Sequence, residues 1–590
     1  MRERRREIPM DDKHLAQLAE NTARTLRPEG TASGRQVSRA VSRALERVRE
    51  CQDRAAAWAE DRQHLPREVE WLLDNWYLAQ REGREAERCF RRAGRLRAVR
   101  REGKQIMVLD LARALAWAGE GTGERIDLFL DRAQEVRPLT ELELSLFIPA
   151  LKGALVERLE SACRELAVLF GRREVFAGEE EALQAKAAGR PLSAAQEGAL
   201  REAGAEHERL AKSMECVMTA LRTLSIVNLG KLLEEQSRVE RLLRRDPSGD
   251  YPLMDEETRG RYRQEVCRLA RRMNLGEAET ARLAVDLAEK GTGEERHVGW
   301  FLFRKPLGRE KNCAAGAFYV GAVVIPTLFI VLLVGFLLDS LAVALLLLLP
   351  VSDIVKNCVD FLVVRLFRPR SVHRMALEGG VPEEGRTLCV IASLLTNGES
   401  GRELAGLLER YRLANRDAGE HLLLGVLADL PDSDLPMGTA ARGYVKAAQA
   451  AVDGLNEKYG GGFYLFFRTP VFQSGDERYM GWERKRGALL ELSRMLRGRR
   501  SGLEVRAGSR KALQNIKYVI TLDSDTSLNV GAARELVGAM LHPLNRPRLD
   551  LRRKIVTSGY GILQPRVGVE LGAANKSQFS RIFAGQGGVD

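Results

Sequence analysis

The sequence predicts a multidomain membrane protein that joins a helical region to an α/β domain, and three observations support this fold class. Residues 1–300 are rich in Ala, Leu, Arg and Glu at helical spacing. Residues 313–338 contain no charged side chain. From about residue 380 onward, strand-like apolar runs alternate with helix-like segments, which is typical of a mainly parallel sheet covered by helices.

The first region, residues 1–300, is predicted to be a helical domain because strand-like runs are scarce in it. The stretch VEWLLDNWYLAQREGREAERCFRRAGRLRAVR, residues 69–100, shows the pattern. Its aromatic residues could stack on a sugar, but aromatic side chains at helical spacing more often belong to the core. We therefore predict core positions for Trp71, Trp76 and Tyr77 and assign no chemistry to this region.

The charge pattern argues against a nucleic-acid partner, although the net charge is +12. The 93 basic residues are interleaved with 81 acidic residues, which is typical of solvated helix faces rather than of a surface that follows phosphates. The eight cysteines are scattered without a CxxC pair, so they are predicted to be reduced thiols of a protein that faces the cytosol. His297 and His542 stand alone in the sequence and are assigned no catalytic role.

Residues 301–370 are predicted to form a transmembrane hairpin with basic flanks. The uncharged run at 313–338 is long enough to cross a hydrocarbon core of about 30 Å as a helix. A second apolar stretch, LAVALLLLLPV, follows it, and its continuation is interrupted by Asp353, Lys356 and Asp360. A buried core hairpin of a soluble protein is the alternative, which the length and apolarity of the first run disfavour.

Basic residues flank both ends of this hairpin: Arg304, Lys305, Arg309 and Lys311 before it, and Arg365, Arg368, Arg370 and Arg374 after it. Because positive residues favour the cytoplasmic side of a membrane, both ends are predicted to lie in the cytoplasm. We therefore expect a multi-pass protein of the inner (cytoplasmic) membrane, in contact with the lipid bilayer, whose active site faces the cytoplasm.

Residues 371–590 are predicted to hold the α/β domain. Its strands are expected at residues 386–395, 420–430, 461–468, 518–523 and 554–566, and its helices at residues 486–498 and 532–541. Ligands of such sheets bind at the carboxyl ends of the strands. Asp429 and Asp523 each lie at such an end.

The segment YVITLDSDTSLNVG ends a strand with two carboxylates, Asp523 and Asp525. Residues two apart in an extended chain project to the same side, and their carboxylates repel unless a cation lies between them. Mg²⁺ or Mn²⁺ with a phosphate is the usual solution. A calcium loop is excluded, because Leu528 and Arg534 replace the required Gly and Glu. A plain turn with an aspartate helix cap remains the alternative.

Lys485, Arg486 and Gly487 precede a helix about 30 residues upstream of these aspartates. Cations beside a helix N-terminus suit a diphosphate, and Asp429 is placed to accept hydrogen bonds from a ribose or a base. Solvated surface cations and an ordinary loop aspartate are the alternatives. The sequence contains no GxxxxGK[ST], HExxH or GxGxxG motif, so a nucleotide-sugar site is favoured over a P-loop site.

Several long strings resemble the glycosyltransferase domain of cyclic β-1,2-glucan synthases: YVITLDSDTSLNVGAARELVGAMLHPLNRPRLD, GYGILQPRV and MGWERKRGALLELSRMLRG. EWLLDNWYLAQRE and HVGWFLF resemble the segments that precede that domain. The resemblance runs in order from about residue 65 to the end of the chain, and the strings are long enough to be specific.

The resemblance implies an inverting, UDP-glucose-dependent hexosyltransferase of the GT-A fold that uses Mg²⁺ or Mn²⁺ and extends a β-glucan chain. Asp525 is then expected to hold the metal directly, and Asp523 to be shared between metal and ribose. The remaining implied site residues are Asp429 near the uridine, Lys485, Arg486 and Gly487 at the donor nucleotide, and Gln564 and Arg566 on the acceptor side.

The chain ends at FAGQGGVD, where these synthases continue. The catalytic base is therefore expected beyond Asp590, in a longer polypeptide of which this chain is a part. A truncated relative that binds nucleotide-sugar without catalysis is an alternative. Another membrane polysaccharide synthase is also possible, because donor-site motifs do not define the linkage of the product.

Overall fold

The computed structural model describes residues 11–60, 65–101, 103–119, 123–171, 191, 193–227, 229–305, 307, 314–367, 371–565, 568 and 571–583. The chain folds as two compact units. The first consists of Met1–Arg245 and Arg263–Leu283, and the second of Asp246–Tyr262 and Ala284–Asp590. The described cysteines are free thiols.

The first unit is mainly helical. Its helices are α1 (Asp12–Thr25), α2 (Gly34–Ala59), α3 (Arg67–Arg92), α4 (Met107–Trp117), α5 (Gly123–Val136), α6 (Glu141–Gly171), α7 (Ala194–Leu224), α8 (Leu229–Gln236) and α9 (Arg238–Leu243). Helices α10 (Glu256–Met273) and α11 (Glu277–Lys290) each contribute residues to both units. Trp71 and Trp76 pack against the hydrophobic core, as predicted, whereas Tyr77 is 60% exposed.

The first unit also contains a small sheet that the sequence analysis did not anticipate. Strands β1 (Pro28–Ser33), β2 (Arg95–Arg101) and β3 (Gly103–Ile106) form an antiparallel sheet in that order. In β2 the buried Leu96 and Ala98 alternate with arginines, which is the two-residue period of a strand. The stretch is short and rich in arginine, so the sequence pattern alone predicts that the preceding helix continues through it.

Two helices of the second unit are long and apolar enough to cross a membrane, α12 (Ala314–Leu337) and α13 (Leu341–Leu366). Only 11% of the apolar window of each helix is buried, so most of the apolar surface of both helices is exposed. The polar residues that interrupt the second run are paired. Asp360 accepts hydrogen bonds from Tyr319 at 2.6 Å and from Lys356 at 3.1 Å. Pairing of this kind lowers the cost of polar groups in an apolar segment.

Two of the described basic residues at the ends of this hairpin make specific protein contacts. Arg374 pairs with Asp255, Glu257 and Glu535 at 2.8–2.9 Å, and Arg304 donates to the carbonyl of Leu544. Arg309, Lys311, Arg368 and Arg370, which the sequence analysis placed in the same flanks, lie outside the described residues.

The second unit contains a sheet of five strands, in the order β10-β4-β5-β6-β9. The strands are β4 (Thr387–Leu394), β5 (Leu422–Asp429), β6 (Phe463–Arg468), β9 (Leu503–Ala507) and β10 (Tyr518–Asp523). Neighbours are parallel except β6 and β9. The central strand β5 is buried along its whole length, as expected for a parallel strand covered on both faces. The prediction of a mainly parallel sheet is confirmed.

Helices α14 (Ser400–Ala414), α15 (Thr439–Tyr459), α16 (Arg484–Leu496) and α17 (Ala532–Leu541) alternate with these strands. Two hairpins lie outside the main sheet, β7 (Val471–Gln473) with β8 (Arg478–Met480), and β11 (Arg548–Asp550) with β12 (Ile555–Ser558). The chain continues into α18 (Leu571–Ala574) and α19 (Gln578–Phe583).

The predicted strand at residues 554–566 is wrong in its extent and partner. Within its described part, residues 554–565, only Ile555–Ser558 is a strand, and it pairs with β11 rather than with the main sheet. Gly559, at φ 74°, turns the chain back, and a Cβ there would lie 2.0 Å from the carbonyl oxygen of Arg546. The chain therefore leaves the strand at a position that only glycine can occupy.

Candidate functional site at the switch point of the sheet

The order of the sheet reverses beside β4. From β4 the chain proceeds to β5 and β6 on one side, and later returns to place β10 on the other side. Such a topological switch point opens a crevice at the carboxyl ends of the two strands, where α/β proteins bind ligands. Asp523 ends β10 opposite Ala392 of β4, so it lies at the edge of this crevice.

Lys485 and Asp523 meet at this crevice, although 38 residues separate them. The ammonium group of Lys485 donates to Oδ1 of Asp523 from the first turn of α16. Their side chains are 44% and 57% exposed, respectively. The structure therefore brings one predicted phosphate-binding cation against one predicted metal-binding carboxylate, in a place that solvent reaches.

Asp525 is exposed in the turn that follows β10. The backbone of this turn is held in place: the amide of Thr526 donates to the carbonyl of Asp523 at 3.1 Å, and Tyr411 donates to the carbonyl of Thr526. Further along, the amide of Ala533 donates to Asn415 at 3.0 Å. The two carboxylates thus project from a segment that is anchored to the end of α14.

The chemistry of these residues fits a metal ion that is shared with a ligand. Among the described residues, no group of three or more His, Cys, Asp or Glu side chains could by itself hold a metal ion. Mg²⁺ commonly binds through one or two carboxylates together with water and substrate phosphates. Asp523 and Asp525 therefore suit a metal that arrives with a phosphate, rather than a metal in a cage made by the protein alone.

Asp429 lies in a different environment from the other two aspartates. It ends β5, it is buried, and both of its oxygens accept from Arg468, at 2.9 Å to Oδ1 and 2.5 Å to Oδ2. Arg468 ends the neighbouring strand β6 and is 6% exposed. The sequence analysis did not identify Arg468, because nothing in the apolar run FYLFFR marks its last residue as a partner of Asp429.

The other two predicted nucleotide-binding residues have different surroundings. Arg486 pairs with Glu483 and is 74% exposed, so it does not join the contact between Lys485 and Asp523. Gly487 is buried, and a Cβ there would lie 1.8 Å from the carbonyl oxygen of Trp482. Gly487 therefore serves close packing of the backbone at the start of α16.

The predicted acceptor-side residues are not part of the same contacts. Gln564 is exposed in the segment after β12, and within the described part of the chain it takes no part in the hydrogen bonds that join Lys485, Asp523 and Arg468. Arg566 lies outside the described residues. Their predicted role stays a prediction.

A small apolar cavity of about 80 Å³ lies beside the end of β5. Its lining comes from the loop after β5, the start of α15 and the β7–β8 hairpin, and includes Leu430, Pro431, Met437, Tyr444 and Tyr479. The cavity borders Leu430, the residue that follows Asp429, so it is an apolar recess at the carboxyl end of β5.

A histidine cluster in the second unit, in which His297 and His542 are buried, joins segments that are distant in sequence. The ring centroid of His542 lies 5.8 Å from that of His297 and 5.2 Å from that of His373. Tyr262 hydrogen-bonds to His297 at 2.8 Å. His297 contacts Asp246 at 2.9 Å. Burial, aided by the nearby charge of Arg261, lowers the pKa of His373 to about 3.

The pKa of His542 is likewise lowered well below its usual value, first by burial and then by the charge of His373. The cluster joins the segments around residues 297, 373 and 542 through ring contacts. That His297 and His542 have no catalytic role stays a prediction. The contact between them could not be foreseen from two histidines separated by more than two hundred residues.

These features describe an α/β protein with two candidate membrane-spanning helices and a polar site at the switch point of its sheet. No family model matches the chain. The chain is 30% identical over 430 residues to the cyclic beta-(1,2)-glucan synthase NdvB of Rhizobium meliloti (strain 1021). The match covers 65% of this chain and 15% of that protein, so the chain spans a small part of its relative. The resemblance to cyclic β-1,2-glucan synthases is thus confirmed.

Proposed function

We propose that the chain is the donor-binding portion of an inverting membrane glycosyltransferase of the GT-A fold, which builds β-1,2-glucan from UDP-glucose. The observation that carries the proposal is the meeting of Lys485 with Asp523 at the switch point, next to Asp525. The similarity to a cyclic β-(1,2)-glucan synthase supports the choice of sugar and product.

In this proposal Asp523 and Asp525 hold a Mg²⁺ or Mn²⁺ ion, and Asp523 also contacts the ribose. The bound ion would neutralise negative charge on the departing UDP. Lys485 and the N-terminus of α16 bind the diphosphate, because both favour negative charge. Without ligand, the ammonium of Lys485 neutralises Asp523, and binding exchanges this contact for contacts with phosphate.

The acceptor side, the catalytic base and the position in the membrane are proposed from the sequence. Gln564 and Arg566 are proposed to contact the acceptor, and a carboxylate base is proposed to deprotonate the 2-hydroxyl of the growing glucan. We propose that the two apolar helices cross the inner membrane and that the α/β domain lies in the cytoplasm; the basic residues at both ends of the hairpin support this orientation.

Isothermal titration of the detergent-solubilised chain with UDP, with and without Mn²⁺, tests the proposal. We expect Mn²⁺-dependent binding that Asp525→Ala abolishes. Asp286→Ala, which removes an exposed carboxylate from helix α11, is the matched control and should bind as the wild type does. Undiminished affinity in Asp525→Ala would contradict the metal site.

Analysis of the linkage made by the full-length synthase separates this proposal from that of another polysaccharide synthase. A product without β-1,2 linkages would leave donor binding in place and refute the proposed product. A protein that binds UDP but contains no transferase activity at its native length would instead be a nucleotide-sugar-binding protein.

A further inference from the structure

Arg468 and Asp429 form a buried ion pair at the carboxyl ends of two neighbouring strands. Both oxygens of Asp429 accept from the guanidinium, at 2.9 and 2.5 Å. Burying two charges costs about as much as their attraction returns, so such a pair is weak evidence of a stabilising role. The guanidinium of Arg468 makes further hydrogen bonds, and these indicate a second role for the pair.

These hydrogen bonds reach the backbone of the turn before α16. Nη1 of Arg468 donates to the carbonyl of Trp482 at 2.7 Å, and Nη2 donates to the carbonyl of Arg484 at 2.9 Å. One planar guanidinium therefore connects the ends of β5 and β6 to the turn at residues 482–484. Lys485 is the next residue of the chain.

The turn has an unfavourable backbone conformation that needs such support. Glu483 and Arg484 have φ values of 47° and 44°, in the left-handed region that residues with a Cβ rarely adopt. Glu483 is the N-cap of α16, and its side chain accepts no capping hydrogen bond. The helix therefore lacks a side-chain cap, and the two hydrogen bonds from Arg468 to backbone carbonyls hold the turn instead.

Two glycines allow the turn to wrap closely around the guanidinium. A Cβ at Gly481 would lie 2.4 Å from Nη2 of Arg468 and 2.9 Å from Oδ2 of Asp429. A Cβ at Gly487 would lie 2.8 Å from Nη1 of Arg468. The backbone on both sides of the turn thus packs directly on the ion pair.

We propose that Arg468 is a positioning residue that, through this turn, directs Lys485 toward Asp523 and the donor diphosphate. Asp429 anchors Arg468 in this role, which differs from the contact with uridine that the family resemblance implies. The inference rests on the proposed function, because it concerns the same nucleotide site. Arg468 itself touches neither Asp523 nor Asp525 in the described contacts and acts through the backbone.

A double-mutant cycle on the full chain, followed by titration with UDP in the presence of Mn²⁺, tests the inference. Arg468→Lys keeps the charge but loses the paired donors, and Lys485→Ala removes the directed group. We expect each single variant to weaken UDP binding by about tenfold. In the Lys485→Ala background, Arg468→Lys should add less than about twofold, because the group it positions is absent.

Arg506→Lys is the matched control, because Arg506 pairs with Glu504 on β9 at 2.7 Å and does not contact the turn. It should bind UDP as the wild type does. If Arg468→Lys does not fold, Gly481→Ala replaces it in the cycle, since the added methyl displaces the guanidinium without removing the charge. Unfolding temperatures of all variants report structural damage separately from affinity.

Additive losses of affinity in the double variant would overturn the inference while leaving the proposed function intact. Wild-type affinity in both Arg468→Lys and Gly481→Ala would overturn it as well. If the wild type binds no UDP, the proposed function fails, and the inference fails with it.

Discussion

The two strands that flank β4 both end in an aspartate, and the two carboxylates have opposite surroundings. On one side, Asp429 is buried and both of its oxygens are held by Arg468. On the other side, Asp523 is 57% exposed and pairs with Lys485, which is itself 44% exposed. The same strand-end position thus carries a closed ion pair in one case and an open one in the other.

The difference separates a carboxylate that holds the backbone from one that can exchange its partner. A buried charge must be neutralised by the protein itself, because removal of its partner leaves an uncompensated charge in the interior. An exposed ion pair contributes little to stability, so its lysine can move to another anion at low cost. Identical residue types at equivalent positions therefore take different roles according to burial.

The largest effect is expected from breaking the closed pair. Arg468→Ala leaves Asp429 buried without its partner and should lower the free energy of unfolding by about 3–5 kcal/mol. Lys485→Ala removes the partner of an exposed carboxylate and should change it by less than about 1 kcal/mol. Denaturant unfolding in detergent measures both.

A double replacement sharpens the same test. Asp429→Leu with Arg468→Met removes both charges and should recover part of the stability that Arg468→Ala loses, because no unpaired charge remains. Equal losses of stability in Arg468→Ala and Lys485→Ala would remove the distinction between the two strand ends.

The lowered pKa of His373 should make the free energy of unfolding depend on pH. His373 is partly buried and its pKa is lowered from 6.5 to about 3, so below pH 6.5 the unfolded chain binds a proton that the folded chain does not. The contribution of His373 to the free energy of unfolding should therefore be fully present above pH 6.5. It should decrease as the pH falls toward 3. At pH 5 the loss is about 2 kcal/mol for one such histidine.

The control for this effect is His373→Phe, which keeps an aromatic ring beside Tyr262 and Phe303. It should have a shallower decrease of stability between pH 6.5 and 5, measured by thermal unfolding at each pH. An unchanged slope would show that His373 is protonated in the folded protein at these pH values.

The sequence predicts where the two strands end, but it does not predict the ion pairs that their last residues form. The apolar runs that end in Asp429 and Asp523 mark β5 and β10 directly, because an apolar run and its polar end are local features of the sequence, although only β5 is buried. The pairing of Asp429 with Arg468, 39 residues later, depends on which strands become neighbours. Only the folded sheet supplies that information.

The same reason explains the other unpredicted features. The sheet of the first unit pairs β1 with β2 across more than sixty residues, and each strand alone is too short and too charged to be recognised. The histidine cluster unites His297, His373 and His542, none of which has a neighbour in sequence that would reveal it. Periodicity reports burial along one segment, whereas these contacts join several.

The smallest effect, and the one that most directly tests the open pair, is expected from Lys485→Gln. Removal of the ammonium leaves Asp523 and Asp525 without the adjacent cation, so free Mn²⁺ should bind about twofold to fivefold more tightly. UDP should bind about tenfold more weakly, because a charged contact to phosphate is lost. Titrations with Mn²⁺ alone and with UDP at saturating Mn²⁺ measure the two affinities separately. Weaker binding of both Mn²⁺ and UDP would mean that Lys485 supports the structure of the site. Tighter binding of Mn²⁺ together with weaker binding of UDP would mean that Lys485 exchanges Asp523 for the diphosphate.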